Sequence, residues 1–194
     1  MCWVNKSNTL EWAGKNGTWY SPEQVAAILR PYPKARFSSG EPLLSPNHLL
    51  EVAKLLPQTL LLIESNGLTL NEDTAKALSL LKNVYFRLSF KGVDSRSSEI
   101  TTGLPIFDAQ LEAATLMSKY NIAHHYALVG VYSPSWVRKL EKEVPDSIPT
   151  QFYKSSSRIT KLELEQLKIY PFHKRRIEHW LKELRDENYT GTSG

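Results

Sequence analysis

Arg36-Phe37-Ser38-Ser39-Gly40-Glu41-Pro42 ends a short apolar run in a turn that carries a single carboxylate, and a helix start follows it. Strand, polar turn and helix in that order make up half of an α/β unit. Ligands in open α/β sheets dock outside the carboxyl ends of the strands, which is where this turn falls. Gly40 has no Cβ and lets a ligand come close to the backbone, while Glu41 is placed to meet a positive group.

Outward from this stretch the pattern repeats. Upstream, Ser21-Pro22-Glu23-Gln24 combines a serine cap, a proline at the first helical position and a glutamine where a capping box wants one, which predicts a helix to about Arg30. Pro31 and Pro33 stop it, and Ala35 to Ser39 reads as a strand. Downstream, Ser45-Pro46 starts a second helix through Leu56, with Leu49, Leu50, Val52, Ala53 and Leu56 on one face. Thr59 to Glu64 is a continuous apolar run, expected as a strand buried on both faces, and it ends in the polar loop Ser65-Asn66-Gly67. Asn71 caps a helix to about Leu81, Val84 to Phe90 gives a third strand, and Ser89-Phe90-Lys91-Gly92 closes it. Pro105 to Tyr120 is a longer amphipathic helix, His124 to Val131 a fourth strand, and Ser133-Pro134 another helix start. Leu162 to Tyr170 reads as a short last strand before the basic helix opened by His173-Lys174-Arg175-Arg176.

Strands alternating with helices of this length make βαβ units and a parallel sheet, so the fold class is α/β. We expect a single domain over residues 1–187 and a disordered tail over 188–194. With 41% hydrophobic and 23% charged residues, the 194-residue chain can bury a substantial core. No apolar run is long enough to cross a bilayer, and the expected protein is cytoplasmic with no membrane contact. Cys2, the one cysteine, allows no internal disulfide. The net charge of +4 is modest and the aromatic residues are not interleaved with the basic ones, which argues against a nucleic-acid partner. The Lys174 to Arg176 run reads as a solvated helix face.

Glu41, Glu64, Ser65, Asn66, Ser89 and Lys91 all fall at strand ends, on what would be one rim. A carboxylate beside a glycine accepts charge-assisted hydrogen bonds from an ammonium group, and serine and asparagine tips bind hydroxyls or a carboxylate. That set suits a small zwitterionic or nucleoside-bearing ligand. The bland reading is that Ser39, Ser65 and Asn66 shape turns and Glu64 pairs with Lys91.

The ordered stretches Cys2-Trp3, Tyr20-Ser21-Pro22-Glu23, Ser39-Gly40-Glu41-Pro42, Glu64-Ser65-Asn66-Gly67 and Arg87-Leu88-Ser89-Phe90-Lys91-Gly92 resemble the radical S-adenosylmethionine superfamily, and an uncharacterised archaeal branch of it most. The resemblance covers Cys2 to Tyr170. It implies a partial barrel of six β/α units whose first loop carries C-x-x-x-C-x-x-C followed by an aromatic residue. Cys2-Trp3 matches the last cysteine and that aromatic, so Cys2 is the implied metal ligand. The implied cofactors are a 4Fe-4S cluster held by three thiolates and S-adenosylmethionine, cleaved reductively to a 5′-deoxyadenosyl radical with electrons from an external donor. Ser39, Gly40, Glu41 and Pro42 lie on the family's G-G-E-P motif, which holds the methionine amino group, with Ser39 in place of the first glycine. Glu64, Ser65, Asn66, Ser89 and Lys91 take strand-end positions that face the cofactor in relatives.

Only Met1 precedes Cys2, so the resemblance implies an N-terminally truncated member that lacks the first strand and two cluster cysteines, with no cluster expected on this chain alone. The alternative is a degenerate, cluster-free α/β binding or partner-interaction protein. The substrate stays unknown on either reading, and His124, His125 and His173 read as packing or surface residues.

Overall fold

A computed structural model describes residues 17–38, 40–128 and 142. Cys2-Trp3, Ser39, the end of the fourth strand, Ser133-Pro134, Leu162 to Tyr170, the basic run and the tail lie outside the described residues.

Helix α1 spans Pro22–Leu29 and begins with the expected capping box: Ser21 Oγ accepts the Gln24 N–H at 3.3 Å, and Gln24 Oε1 accepts the Ser21 N–H at 2.8 Å. Strand β1 is Lys34–Phe37, starting one residue earlier and ending two earlier than the sequence predicts. The Leu60 N–H donates to Pro33 O at 2.9 Å and draws the chain into the sheet before Lys34. An unanticipated 3-10 turn, Pro42–Leu44, follows with Glu41 as its cap. Helix α2, Pro46–Leu55, starts where expected, yet the Ser45 side chain does not cap it. Ser45 sits at φ −128°, ψ 67° and closes the 3-10 turn with its own N–H to Pro42 O, so its backbone lacks the extended cap geometry.

Strand β2 is Leu60–Ser65, α3 is Glu72–Ser79, and β3 is Val84–Phe90. Asn71 Oδ1 accepts the Thr74 N–H at 2.8 Å, as the sequence predicts for α3. The Asn83 amide donates to Ala53 O at 2.9 Å and Leu56 O at 2.8 Å, giving a second donor to two carbonyls at the end of α2 that each already accept a backbone N–H. Helix α4, Ser95–Thr102, has no counterpart in the sequence reading; it is started by reciprocal Asp94 and Ser97 hydrogen bonds and stopped by Gly103. Helix α5 is Phe107–Lys119, and β4 is His124–Leu128.

The four strands form one sheet in the order β1-β2-β3-β4, with parallel registers Lys34↔Leu60 and Leu61↔Val84. Spatial order that follows chain order means each crossover adds its strand on the same side. A β/α barrel grows in this way, whereas a doubly wound sheet reverses direction.

Burial along β2 corrects the expectation of a strand covered on both faces. Leu61, Ile63 and Ser65 are buried, whereas Leu60 is 41% exposed and Leu62 and Glu64 are half-buried. On the covered face the buried set includes Phe86 and Leu88, with Leu49, Val52 and Ala53 of α2 and Ala75 and Leu78 of α3, each large aliphatic side chain contributing about 1.5–3 kcal/mol. Among the described residues, the other face is left open.

The described residues fall into two compact units, one comprising those up to Leu88 with Glu112–His125, the other Ser89–Leu111 with those from Tyr126 on. In the second, the Phe90 ring packs 6.0 Å from Phe107 and meets Tyr126 edge-on at 5.8 Å.

Candidate functional site

The loops after β1 and β2 meet on one carboxylate. Glu41 Oε1 accepts the Leu43 N–H at 3.0 Å and the Ser65 hydroxyl at 2.7 Å, and Oε2 accepts the Asn66 N–H at 2.8 Å. Ser65 Oγ in turn accepts the Gly67 N–H at 2.9 Å, and Thr69 Oγ1 donates to Leu43 O at 2.9 Å. Gly40, Glu41, Pro42, Ser65 and Asn66 are thereby brought into one knot at the carboxyl ends of two strands. A carboxylate offers about four lone-pair directions, and three are occupied by this chain's own donors. One remains for an outside cation. A Cβ built on Gly40 would meet no atom within 4 Å, so the backbone is open to a ligand from that side.

Glu64 lies elsewhere. Successive side chains on a strand point to opposite faces, so Glu64 projects from the open face while Ser65 projects into the core. Its Oε1 takes Arg36 Nη2 at 2.6 Å and Arg87 Nη1 at 2.9 Å. Burial raises the Glu64 pKa, but the Arg36 hydrogen bond and the Arg87 charge outweigh it and hold the carboxyl below its ordinary value.

Ser89 and Lys91 belong to the second unit, where their backbones are tied by one buried amide. Gln110 Nε2 donates to Ser89 O at 2.8 Å, and Gln110 Oε1 accepts the Lys91 N–H at 3.0 Å. The sequence reading missed Gln110. Its signal was a polar residue on the apolar α5 face between Phe107 and Ala114, where only a partnered amide is tolerated.

Arg36, Arg87 and His125 were missed as well. They share the open face with Leu60, Leu62 and Tyr85, and the Tyr85 and His125 rings stand 5.4 Å apart. Burial, then the nearby Arg87 charge, lowers the His125 pKa and keeps the ring neutral near pH 7. Among the described residues no three His, Cys, Asp or Glu side chains could hold a metal ion. No helix among them is long and apolar enough to cross a membrane.

No family profile matches the sequence, and no curated protein matches it. Among solved structures, the chain is similar to Streptococcus suis SuiB bound to S-adenosylmethionine, at 18% identity and a TM-score of 0.55, over 64% of this chain and 30% of that one. The fold is a partial β/α barrel like that of this neighbour. SuiB bound to the precursor peptide SuiA matches this barrel at 18% identity and a TM-score of 0.56, over 65% and 30% of the two chains. A third structure, anSMEcpe with bound AdoMet and the Kp18Cys peptide, matches at 18% identity and a TM-score of 0.52, over 81% and 45%. The chain spans less than half the length of each. At these identities the likeness concerns the fold, and the roles of individual residues rest on the geometry above.

Proposed function

We propose that this chain is a radical S-adenosylmethionine protein, and that the knot of Gly40, Glu41, Pro42, Ser65 and Asn66 receives the cofactor's methionine amino group. The observation that carries the reading is the Glu41 carboxylate, held rigid by three donors with one lone-pair direction left and an open glycine backbone beside it. An ammonium group fits such an acceptor through a charge-assisted hydrogen bond. The cofactor would bring a sulfonium whose reductive cleavage starts radical chemistry.

The described residues do not fit an iron-sulfur cluster, since no set of thiolates is among them and the sequence has one cysteine. Cluster chemistry therefore needs ligands beyond this chain, and the chain alone is proposed to be inactive. A second reading, a cluster-free binding protein on the same scaffold, draws support from the three internal hydrogen bonds through which Glu41 already ties the loops together.

Titration calorimetry with S-adenosylmethionine separates the two. Saturable binding that falls at least tenfold in Glu41→Gln, with the thermal midpoint recorded on the same samples, supports the cofactor reading. No binding by the wild type, or equal binding by the variant, refutes it for this chain.

A further inference from the structure

The open face of the sheet carries charge that the cofactor reading does not use. Among the described residues, Lys34, Arg36 and Arg87 are its cations, and Glu64 is the acid set among them. Both arginines meet the same oxygen, Oε1, each through one terminal nitrogen. A guanidinium has five N–H donors, and paired arginines in ordinary ion pairs favour a two-point fork. Here the Arg36 contact with Glu64 runs through Nη2, and the Arg36 side chain remains 54% exposed. Two further polar atoms on this face, Arg87 Nε and His125 Nδ1, are buried without a hydrogen-bond partner among the described residues. Each such atom carries an unrepaid desolvation cost, which binding sites tolerate.

Beside this cluster lies a concavity of about 360 Å³, lined by Lys34, Arg36, Leu60, Leu62, Tyr85 and His125. Its volume is that of a small-molecule site, and its walls are almost wholly apolar, formed by Leu60, Leu62, the Tyr85 ring and the aliphatic stems of Lys34 and Arg36, the two residues that bring positive charge to it. Glu64 holds the Arg36 guanidinium, and Arg87 shares that carboxylate.

We propose that this concavity binds a carboxylate-bearing ligand with an apolar body, the carboxylate on Arg36 and Lys34 and the body on Leu60, Leu62 and Tyr85. Among the described residues, three cations against one acid on this face favour an anion over a cation. A neutral His125 ring at the side gives the ligand a hydrogen-bonding partner without adding charge. The site stands on its own geometry; naming it the substrate site rests on the cofactor reading, and a free organic acid and the acidic end of a peptide share the required chemistry.

The test uses phenylacetate, its neutral isostere phenylacetamide, and the dipeptide Gly-Phe as probes on the full chain, followed by calorimetry and by two-dimensional NMR of the Arg and His side chains. Phenylacetate is expected to bind saturably, with phenylacetamide and the Arg36→Gln variant each at least tenfold weaker. Arg36→Lys, which keeps the charge, is expected to retain part of the affinity. Gly-Phe binding tighter than phenylacetate assigns the carboxylate to a peptide end; the reverse assigns it to a free acid. Equal binding of acid and amide, no effect of Arg36→Gln, or no saturable phenylacetate binding overturns the proposal. S-Adenosylmethionine is titrated separately, so loss of binding at the Glu41 knot and loss at this face are read independently.

Discussion

Glu41 Oε1 accepts the Ser65 hydroxyl at 2.7 Å across 24 positions of sequence, and this single contact joins the loop that follows β1 to the end of β2. Ser65 is 3% exposed, so its hydroxyl has no water to turn to if the carboxylate is removed. A hydrogen bond to a charged acceptor contributes about 1.5–3 kcal/mol, and a buried donor left unsatisfied costs about 1–3 kcal/mol. Glu41→Ala removes three such acceptances at once, because Leu43 and Asn66 also donate to it. The expected loss in urea unfolding is about 2–4 kcal/mol for Glu41→Ala and about 1–2 kcal/mol for Ser65→Ala. The double variant should lose less than the total of the two by about 1 kcal/mol, since both remove the same bond. Strict additivity would mean that the two loops are not coupled through this pair.

The α/β class and the crossovers were legible because they rest on local signals. Ser21 with Gln24, Asn71 with Thr74 and the alternation along Val84 to Phe90 each specify their own element through backbone donors or period-2 burial. Helix α4 was illegible: its sequence Ser95-Arg96-Ser97-Ser98-Glu99-Ile100-Thr101-Thr102 has no apolar stripe, and the Asp94 to Ser97 box was its one signal. The open face was hidden for the opposite reason. Leucines fill both sides of β2 from Leu60 to Leu62, so an apolar run concealed a face that only Arg36, Glu64 and Arg87, on three strands, define together. Glu41 was found from its place in the turn, while its bonds to Ser65 and Asn66 depend on tertiary approach that local sequence cannot encode.

Acid should loosen the first unit through Glu72. This residue opens α3, and Lys119 Nζ, at the end of α5, reaches its Oε1 at 2.8 Å while the Tyr120 hydroxyl donates to the same oxygen. The Lys119 hydrogen bond, then that of Tyr120, then the charges of Lys119 and Lys76 pull its pKa from the ordinary 4.5 down to about 2. A depressed carboxyl contributes stability that is fully present above its unfolded pKa and is lost as pH falls through the folded value. The wild-type urea midpoint should therefore fall more steeply between pH 4.5 and 2 than that of Glu72→Gln. The site is exposed, so the difference should shrink in 1 M salt, where screening reaches about 3 Å. Parallel pH profiles for the two proteins would remove Glu72 as a link between α3 and α5.

Two glycines flank the Glu41 knot, and they separate backbone strain from packing. Gly40 has φ +142° and open space where a Cβ would stand, so Gly40→Ala meets only the cost of holding an L-residue in that conformation, about 1–2 kcal/mol. Gly67 has φ +80° and is buried, and a Cβ there would sit 2.6 Å from Leu88 Cδ1 and 2.8 Å from Ala113 Cβ. The Leu88 tip can rotate, but Ala113 Cβ is fixed to α5, so the helix or the loop has to shift. Overpacking of this kind adds about 1–3 kcal/mol to the backbone term. Gly67→Ala should accordingly lose more in urea unfolding than Gly40→Ala. Pairing Gly67→Ala with Ala113→Gly should recover part of that loss, because it removes the rigid contact and leaves the strain. Recovery to wild-type stability would place the whole cost in packing; no recovery would place it in the backbone.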